Sequence, residues 1–151
     1  MRIGVISDTH GLLRPEILAA LAGVEHILHA GDVGDVVILE ALRQVAPVTA
    51  IRGNIDRLGA TAALPATETL ELGGRWLHVL HALDELDMKP EAAGIGAVIY
   101  GHSHRPAIDW RNDVLYLNPG SCGPRRFSLP ISAAILTIAD GNFEVEWIEF
   151  S

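Results

Sequence analysis

The chain has 151 residues, 49% of them hydrophobic and 20% charged, with a formal net charge of −8. That length can bury one core, and since no composition break or Ser/Gly-rich linker divides it, a single domain over residues 1–151 is expected. The acidic balance argues against an extended nucleic-acid surface or an anionic-membrane surface, both of which need a basic field, and the longest apolar runs fall well short of the ~20 residues of a membrane helix.

Lys89 is the one lysine beside ten arginines, and no Gly-x-x-x-x-Gly-Lys-Ser/Thr stretch occurs, so a P-loop is excluded. Cys122 stands alone, which excludes an internal disulfide and leaves it as a small turn residue. The amino terminus enters an apolar run at once, without a basic segment, apolar helix and cleavage site, so a cytoplasmic location is expected.

In chain order, Ile3 to Ile6 reads as a strand covered on both faces, followed at once by Asp8 and His10. Pro15 opens a helix with Ile17, Leu18 and Leu21 as its apolar stripe, and Gly23 ends it. A strand near Glu25 to His29 runs into Gly31-Asp32. Asp35 caps a second helix that buries Ile38, Leu42 and Val45 and stops before Pro47. Val48 to Ile51 then delivers Gly53-Asn54. After this strand–helix–strand–helix–strand half the pattern turns to hairpins. Thr67 to Leu72 and Arg75 to Leu80 flank Gly73-Gly74 and present His81, and a short helix is expected around Leu86 to Ala93. Ala97 to Tyr100 leads into Gly101-His102-Ser103-His104. Two further hairpins are centred on Asn112-Asp113 and Asp140-Gly141, the latter with Ile131 to Ile138 and Phe143 to Phe150 as arms.

Polar groups therefore recur at the ends of hydrophobic runs. Asp8, His10, Asp32, Asn54, His81, His102 and His104 form a mixed oxygen and nitrogen set suited to first-row divalent metals, and seven groups exceed what one tetrahedral ion uses. Two ions is the economical reading. Each segment alone is weak: Asp-x-His is common in turns, and an Asn after Gly tolerates a left-handed backbone. The order of five such segments is the signal. His26, His29 and His78 lie inside expected strands and read as structural hydrogen-bonding groups, with His29 near enough to Asp32 to support a ligand.

The stretches Ser7-Asp8-Thr9-His10, His29-Ala30-Gly31-Asp32, Arg52-Gly53-Asn54-Ile55-Asp56, His81, Gly101-His102-Ser103-His104 and Asn118-Pro119-Gly120-Ser121 resemble, in order and spacing, the calcineurin-like metallophosphoesterase family, particularly its small single-domain phosphodiesterase branch. The resemblance implies an α/β (α+β) fold of two packed mixed β-sheets flanked by helices, a four-layer αββα sandwich. It assigns Asp8, His10, Asp32 and His104 to one divalent ion and Asp32, Asn54, His81 and His102 to the other, with Asp32 bridging. Mn²⁺ is the first expectation, with Fe²⁺, Zn²⁺ and Ni²⁺ as alternatives. The implied reaction is in-line attack of metal-bound hydroxide on a small phosphoester or nucleotide-like substrate, with Asp32 and Asn54 as catalytic residues.

Arg52 and Asp56 flank Asn54 and are candidates to orient it or meet phosphate, although an exposed Arg–Asp pair reads the same way. Asn118 to Ser121 reads first as a turn. Arg125 and Arg126 are candidate substrate-facing cations, with solvent exposure the commoner role. The chain departs from the family twice: Ile55 replaces a His that protonates the leaving oxygen in much of the wider family, and Ala82 replaces the usual Gly after His81. The missing acid favours phosphodiesters with acidic leaving groups over alkyl monoesters. The alternatives are a phosphomonoesterase of the same fold and a non-catalytic binding scaffold, a use that a related retromer subunit makes of it.

Overall fold

In the computed structural model, which describes residues 1–150, the first half of the chain forms β1 (Arg2–Ile6), α1 (Pro15–Ala20), β2 (His26–His29), α2 (Val36–Arg43) and β3 (Val48–Ala50). β1, β2 and β3 pair in parallel, as the two helical crossovers require. Pro15 sits in the first turn of α1, where its missing N–H is no loss, and Gly23 leaves the helix with φ 85°. Asp35 caps α2, its carboxylate accepting the Val37 N–H at 3.0 Å, and Ile38, Leu39 and Leu42 are buried beneath.

The second half is β: β4 (Thr67–Leu72), β5 (Arg75–Leu80), β6 (Ile95–Ile99), β7 (Ala107–Arg111), β8 (Val114–Asn118), β9 (Ile131–Ala139) and β10 (Asn142–Phe150). The last two strands return to the first sheet, giving two five-stranded mixed sheets ordered β10-β9-β1-β2-β3 and β4-β5-β6-β8-β7. Ile3, Val5, Leu28, Leu77, Val79 and Leu115 are among the side chains that fill the space between the sheets. The helices pack on the outer face of the first sheet through Ile17, Leu21, Leu39 and Leu42.

The helix expected around Leu86 to Ala93 is absent. A 3-10 turn at Leu83–Glu85 and turns over residues 90–94 take its place. Pro90 removes a backbone donor and disfavours a helical Lys89 before it, while Gly94 sits at φ 77°. Leu83, Leu86 and Met88 still pack on Leu80, Ile95, Val98 and Tyr116. They anchor a loop, so helices cover one outer face of the sandwich and a loop with a 3-10 turn covers the other.

The arrangement that matters for function is directional. β1, β2 and β3 run parallel in one sheet, and β5, β6 and β8 run parallel in the other. Their carboxyl ends open onto a single edge, the usual position of a site in sheets of this kind.

Candidate metal centre

All seven candidate ligand residues follow the ends of these parallel strands. Backbone hydrogen bonds stitch the loops after β1 and β2 together: Asp8 N–H to Gly31 O at 2.9 Å, His10 N–H to Asp32 O at 2.9 Å and Gly11 N–H to Val33 O at 2.8 Å. Asp8, His10, Asp32, His102 and His104 have positive φ, between 46° and 73°. A non-glycine residue held there costs about 1–3 kcal/mol, so the surrounding bonds must impose the conformation. Two glycines allow the loops to close: a Cβ on Gly53 would lie 2.1 Å from Asp32 Oδ1, and one on Gly101 would lie 2.7 Å from Asp8 Oδ2.

Five of the side chains converge in one buried cluster. Asp8 Oδ1 lies 3.3 Å from His104 Nε2, 3.7 Å from His10 Nε2 and 3.8 Å from His81 Nε2. Asp32 Oδ2 lies between His10 Nε2 at 3.4 Å and His81 Nε2 at 3.2 Å. Asp8, His10 and His104 form one group able to hold a cation, and Asp8, Asp32 and His81 form a second. Both carboxylates are therefore central to the cluster. Asn54 and His102 pair with each other at the rim, His102 Nδ1 to Asn54 Oδ1 at 3.2 Å, with the His102 ring edge-on to His81.

Among the described residues, four buried side-chain atoms lack any hydrogen-bond partner: Asp8 Oδ1, His10 Nε2, His81 Nε2 and His104 Nδ1. All belong to this cluster. Leaving such groups unpaired costs about 1–3 kcal/mol each, and carboxylate oxygens with imidazole nitrogens are a donor set that a divalent cation satisfies. Burial alone would raise the Asp8 carboxyl. The neighbouring imidazoles of His10 and His104, the Ser7 hydroxyl donating to Oδ2 and the charge of His81 outweigh it and hold Asp8 far below the usual carboxylate range. Burial also opposes Asp32 ionisation, but His81 and the Ile55 N–H, donated at 3.0 Å, lower its pKa. Burial opposes a charged His81, yet Asp32 and Asp8 raise its pKa. The electrostatics favour ionised carboxylates beside imidazoles.

A layer of bonds holds this cluster. Asp56 meets neither Asn54's amide nor Arg52; it is buried and accepts the Gly53, Val33 and Gly34 N–H groups at 2.9, 3.0 and 2.9 Å, tying the loop after β3 to the loop after β2. His29 is fully buried, its Nδ1 accepting the Gly31 N–H at 3.1 Å and its Nε2 3.0 Å from Thr9 Oγ1, and burial lowers its pKa to about 4. It supports the loops as a neutral ring. His26 and His78 bond Thr49 and Thr69, the structural roles expected of them. Asn118 donates to Gly101 O and Ser103 Oγ, both at 3.1 Å, and Ser121 Oγ donates to Asp8 O at 3.0 Å, so that turn braces the site.

Other candidates resolve simply. Arg52 donates from Nη1 to Leu64 O at 2.7 Å and lines the cavity beside Asn54. Arg125 and Arg126 are exposed, with Arg125 bonding Leu129 O and bordering a different hollow. Ala82 has φ −109° and ψ 122°, extended backbone that needs no glycine. Cys122 is buried beneath Ser7, and burial pushes its thiol up to about 12. Sequence reasoning missed the Asp56 clamp, because its partners Val33 and Gly34 come from a distant loop.

Residues 1–141 match the calcineurin-like phosphoesterase superfamily domain. A probable metallophosphoesterase of Methanocaldococcus jannaschii is 38% identical over 134 residues, covering 80% of this chain and 68% of that one. A phosphodiesterase of the same organism is 27% identical over 141 residues, covering 81% and 84%. The solved structure of an archaeal phosphodiesterase shares the fold at a TM-score of 0.83 and 23% identity, covering 99% of this chain and all of that one (100%). With the metal-suited cluster at the shared edge of its two mixed sheets, this chain belongs to the calcineurin-like phosphoesterase superfamily.

Proposed function

We propose that the chain is a divalent-metal-dependent phosphodiesterase, working as one domain and holding two ions through Asp8, His10, Asp32, Asn54, His81, His102 and His104. The observation that carries this reading is that Asp8 Oδ1, His10 Nε2 and His81 Nε2 are buried without hydrogen-bond partners and face one another in one cluster, which His104 joins through Nε2. A binding-only scaffold gains nothing from retaining them. Divalent ions held there would supply positive charge to the phosphoryl oxygens and would lower the pKa of water toward neutrality.

The protein's own groups position the chemistry. Asp32 stands between His10 and His81 and would face both ions. Its orientation is fixed by the Ile55 N–H. Asn54, exposed at the rim beside His102, offers its amide to a phosphoryl oxygen as charge grows there. Arg52, held on the Leu64 carbonyl, lines the same cavity and is placed to meet phosphate. Ile55 supplies only a backbone donor, so no side chain at that position protonates a leaving oxygen. This favours small diesters with acidic leaving groups over alkyl monoesters.

Calorimetric titration of the chelator-treated protein with Mn²⁺ is expected to fit two sites per chain, and His104→Ala is expected to weaken mainly one. Saturation at a single ion removes the dinuclear reading. In the same preparation, Mn²⁺, Fe²⁺, Zn²⁺ and Ni²⁺ can be ranked by activity, with Mn²⁺ expected first. Across a leaving-group series, kcat/KM for diesters should fall as leaving-group pKa rises, and Ile55→His should rescue the poor leaving groups selectively. Faster hydrolysis of alkyl monoesters than of diesters overturns the diesterase assignment.

A further inference from the structure

Beside the candidate centre lies a cavity of about 320 Å³, lined by Arg52, Asn54, His81, His102, Asp84 and Glu85. Three candidate ligand residues, Asn54, His81 and His102, line it, so on the phosphodiesterase reading it would hold the part of a substrate next to the phosphoryl group. A volume near the lower end of the ~300–1,000 Å³ range of small-molecule sites holds more than phosphate alone. The buried His81 imidazole lines it while its Nε2 faces Asp32 and Asp8, so the cavity adjoins the candidate centre directly.

One part of the lining is acidic and lies outside the ligand cluster. Asp84 and Glu85 are exposed neighbours on the 3-10 turn that immediately follows His81-Ala82. Arg52 is the one cation among the lining residues, and its Nη1 is already committed to the Leu64 carbonyl. Ionised carboxylates accept hydrogen bonds and cannot donate them, so this wall suits hydroxyl groups and repels a second phosphate. The 3-10 turn Leu83–Glu85, which precedes the segment where a helix was expected, places both residues on the cavity lining.

Resting on the phosphodiesterase reading, we infer that Asp84 and Glu85 select the substrate's second ester arm. They accept hydrogen bonds from a neutral, hydroxyl-bearing arm such as a sugar and exclude arms that carry a further phosphate. The two residues act on specificity and take no part in the transfer itself.

The test uses a matched pair: thymidine 5′-(4-nitrophenyl phosphate) with its 3′-hydroxyl free or 3′-phosphorylated, assayed with the Mn²⁺-loaded protein. The free-hydroxyl form should be preferred about tenfold in kcat/KM at low salt, the scale expected of two carboxylates facing an added dianion. Raising ionic strength to about 0.5 M should reduce that preference severalfold through screening. Asp84→Asn with Glu85→Gln should shrink it by raising turnover of the 3′-phosphorylated form, a gain that a misfolded protein cannot produce. Absence of the preference in the unaltered protein, a preference indifferent to salt, or one that persists in the double variant each overturns the inference. Bis(4-nitrophenyl) phosphate separates the two levels. No hydrolysis of it removes the phosphodiesterase reading, whereas hydrolysis without 3′ discrimination removes only the role of Asp84 and Glu85.

Discussion

The two ends of the sandwich use the same backbone conformation for opposite reasons. At the end away from the candidate centre, the hairpin turns Gly73-Gly74, Asn112-Asp113 and Asp140-Gly141 all have positive φ, and all are exposed. Gly, Asn and Asp adopt that region at least cost, and the turns exist to reverse the chain. At the other end, Asp8, Asp32 and His104 hold positive φ while buried, His10 while half-buried and His102 while exposed. Histidine has less reason to be there, and nothing about chain reversal demands three of them. The contrast separates turns that satisfy local geometry from loops whose geometry is imposed for the sake of their side chains.

The largest expected effect tests that separation directly. On the proposed function, Asp32→Asn should lower phosphodiesterase activity on the order of 10³-fold and weaken metal binding, because one carboxylate faces both His10 and His81. Asp113→Gly at the far end should leave activity within about twofold, in line with an exposed turn. Comparable losses in the two variants would dissolve the distinction between the ends.

Next in size are two glycine variants. Gly53→Ala places a Cβ against Asp32 Oδ1 and its backbone nitrogen, at 2.1 and 2.3 Å, and should cost activity at least about tenfold by shifting the carboxylate. Gly74→Ala meets nothing within 4 Å and carries only its φ of 81°, so about 1–2 kcal/mol of stability and no activity should be lost. Chemical denaturation paired with a diester assay distinguishes them.

A smaller effect has the opposite sign. His102 is exposed at φ 73°, so His102→Gly should stabilise the chelator-treated protein by about 1 kcal/mol while weakening activity. Loss of stability in that variant would mean that the left-handed backbone carries no strain. Least disruptive is a chemical probe of Cys122, whose thiol is pushed up to about 12 by burial. It should resist alkylation at pH 8 in the native protein and react once the chain is unfolded, where the thiol ionises near its ordinary value. Stability should correspondingly decline as pH rises from about 9 toward 12, since only the unfolded thiol then loses its proton.

What the sequence made legible follows from which forces are local. The strands, α1, α2 and the hairpins are written in apolar spacing and turn residues, and the candidate ligands stand out because each directly follows such a run. In the segment after His81 the helix expected around Leu86 to Ala93 does not form, and Leu83, Leu86 and Met88 serve as anchors on the Leu80 and Val98 surface. Pro90 and Gly94 were the cues against a helix. Asp56 flanks Asn54 in sequence and is a candidate to orient it, to meet phosphate or to pair with Arg52, but its bonds run to the backbone N–H groups of Val33, Gly34 and Gly53. Backbone donors carry no residue signature, so that clamp could be found only in three dimensions.

The bond from the His102 N–H to Asp8 Oδ2 joins residues 94 positions apart, across the two sheets. Closing a loop of that length precedes any reward from the contact, which places completion of the centre late in folding. Ions binding the finished arrangement, as proposed, would stabilise a state reached after the rate-limiting barrier. Manganese should accordingly slow unfolding while leaving the refolding rate nearly unchanged, so that metal acts as a latch on the native molecule and gives no guidance to the chain that forms it.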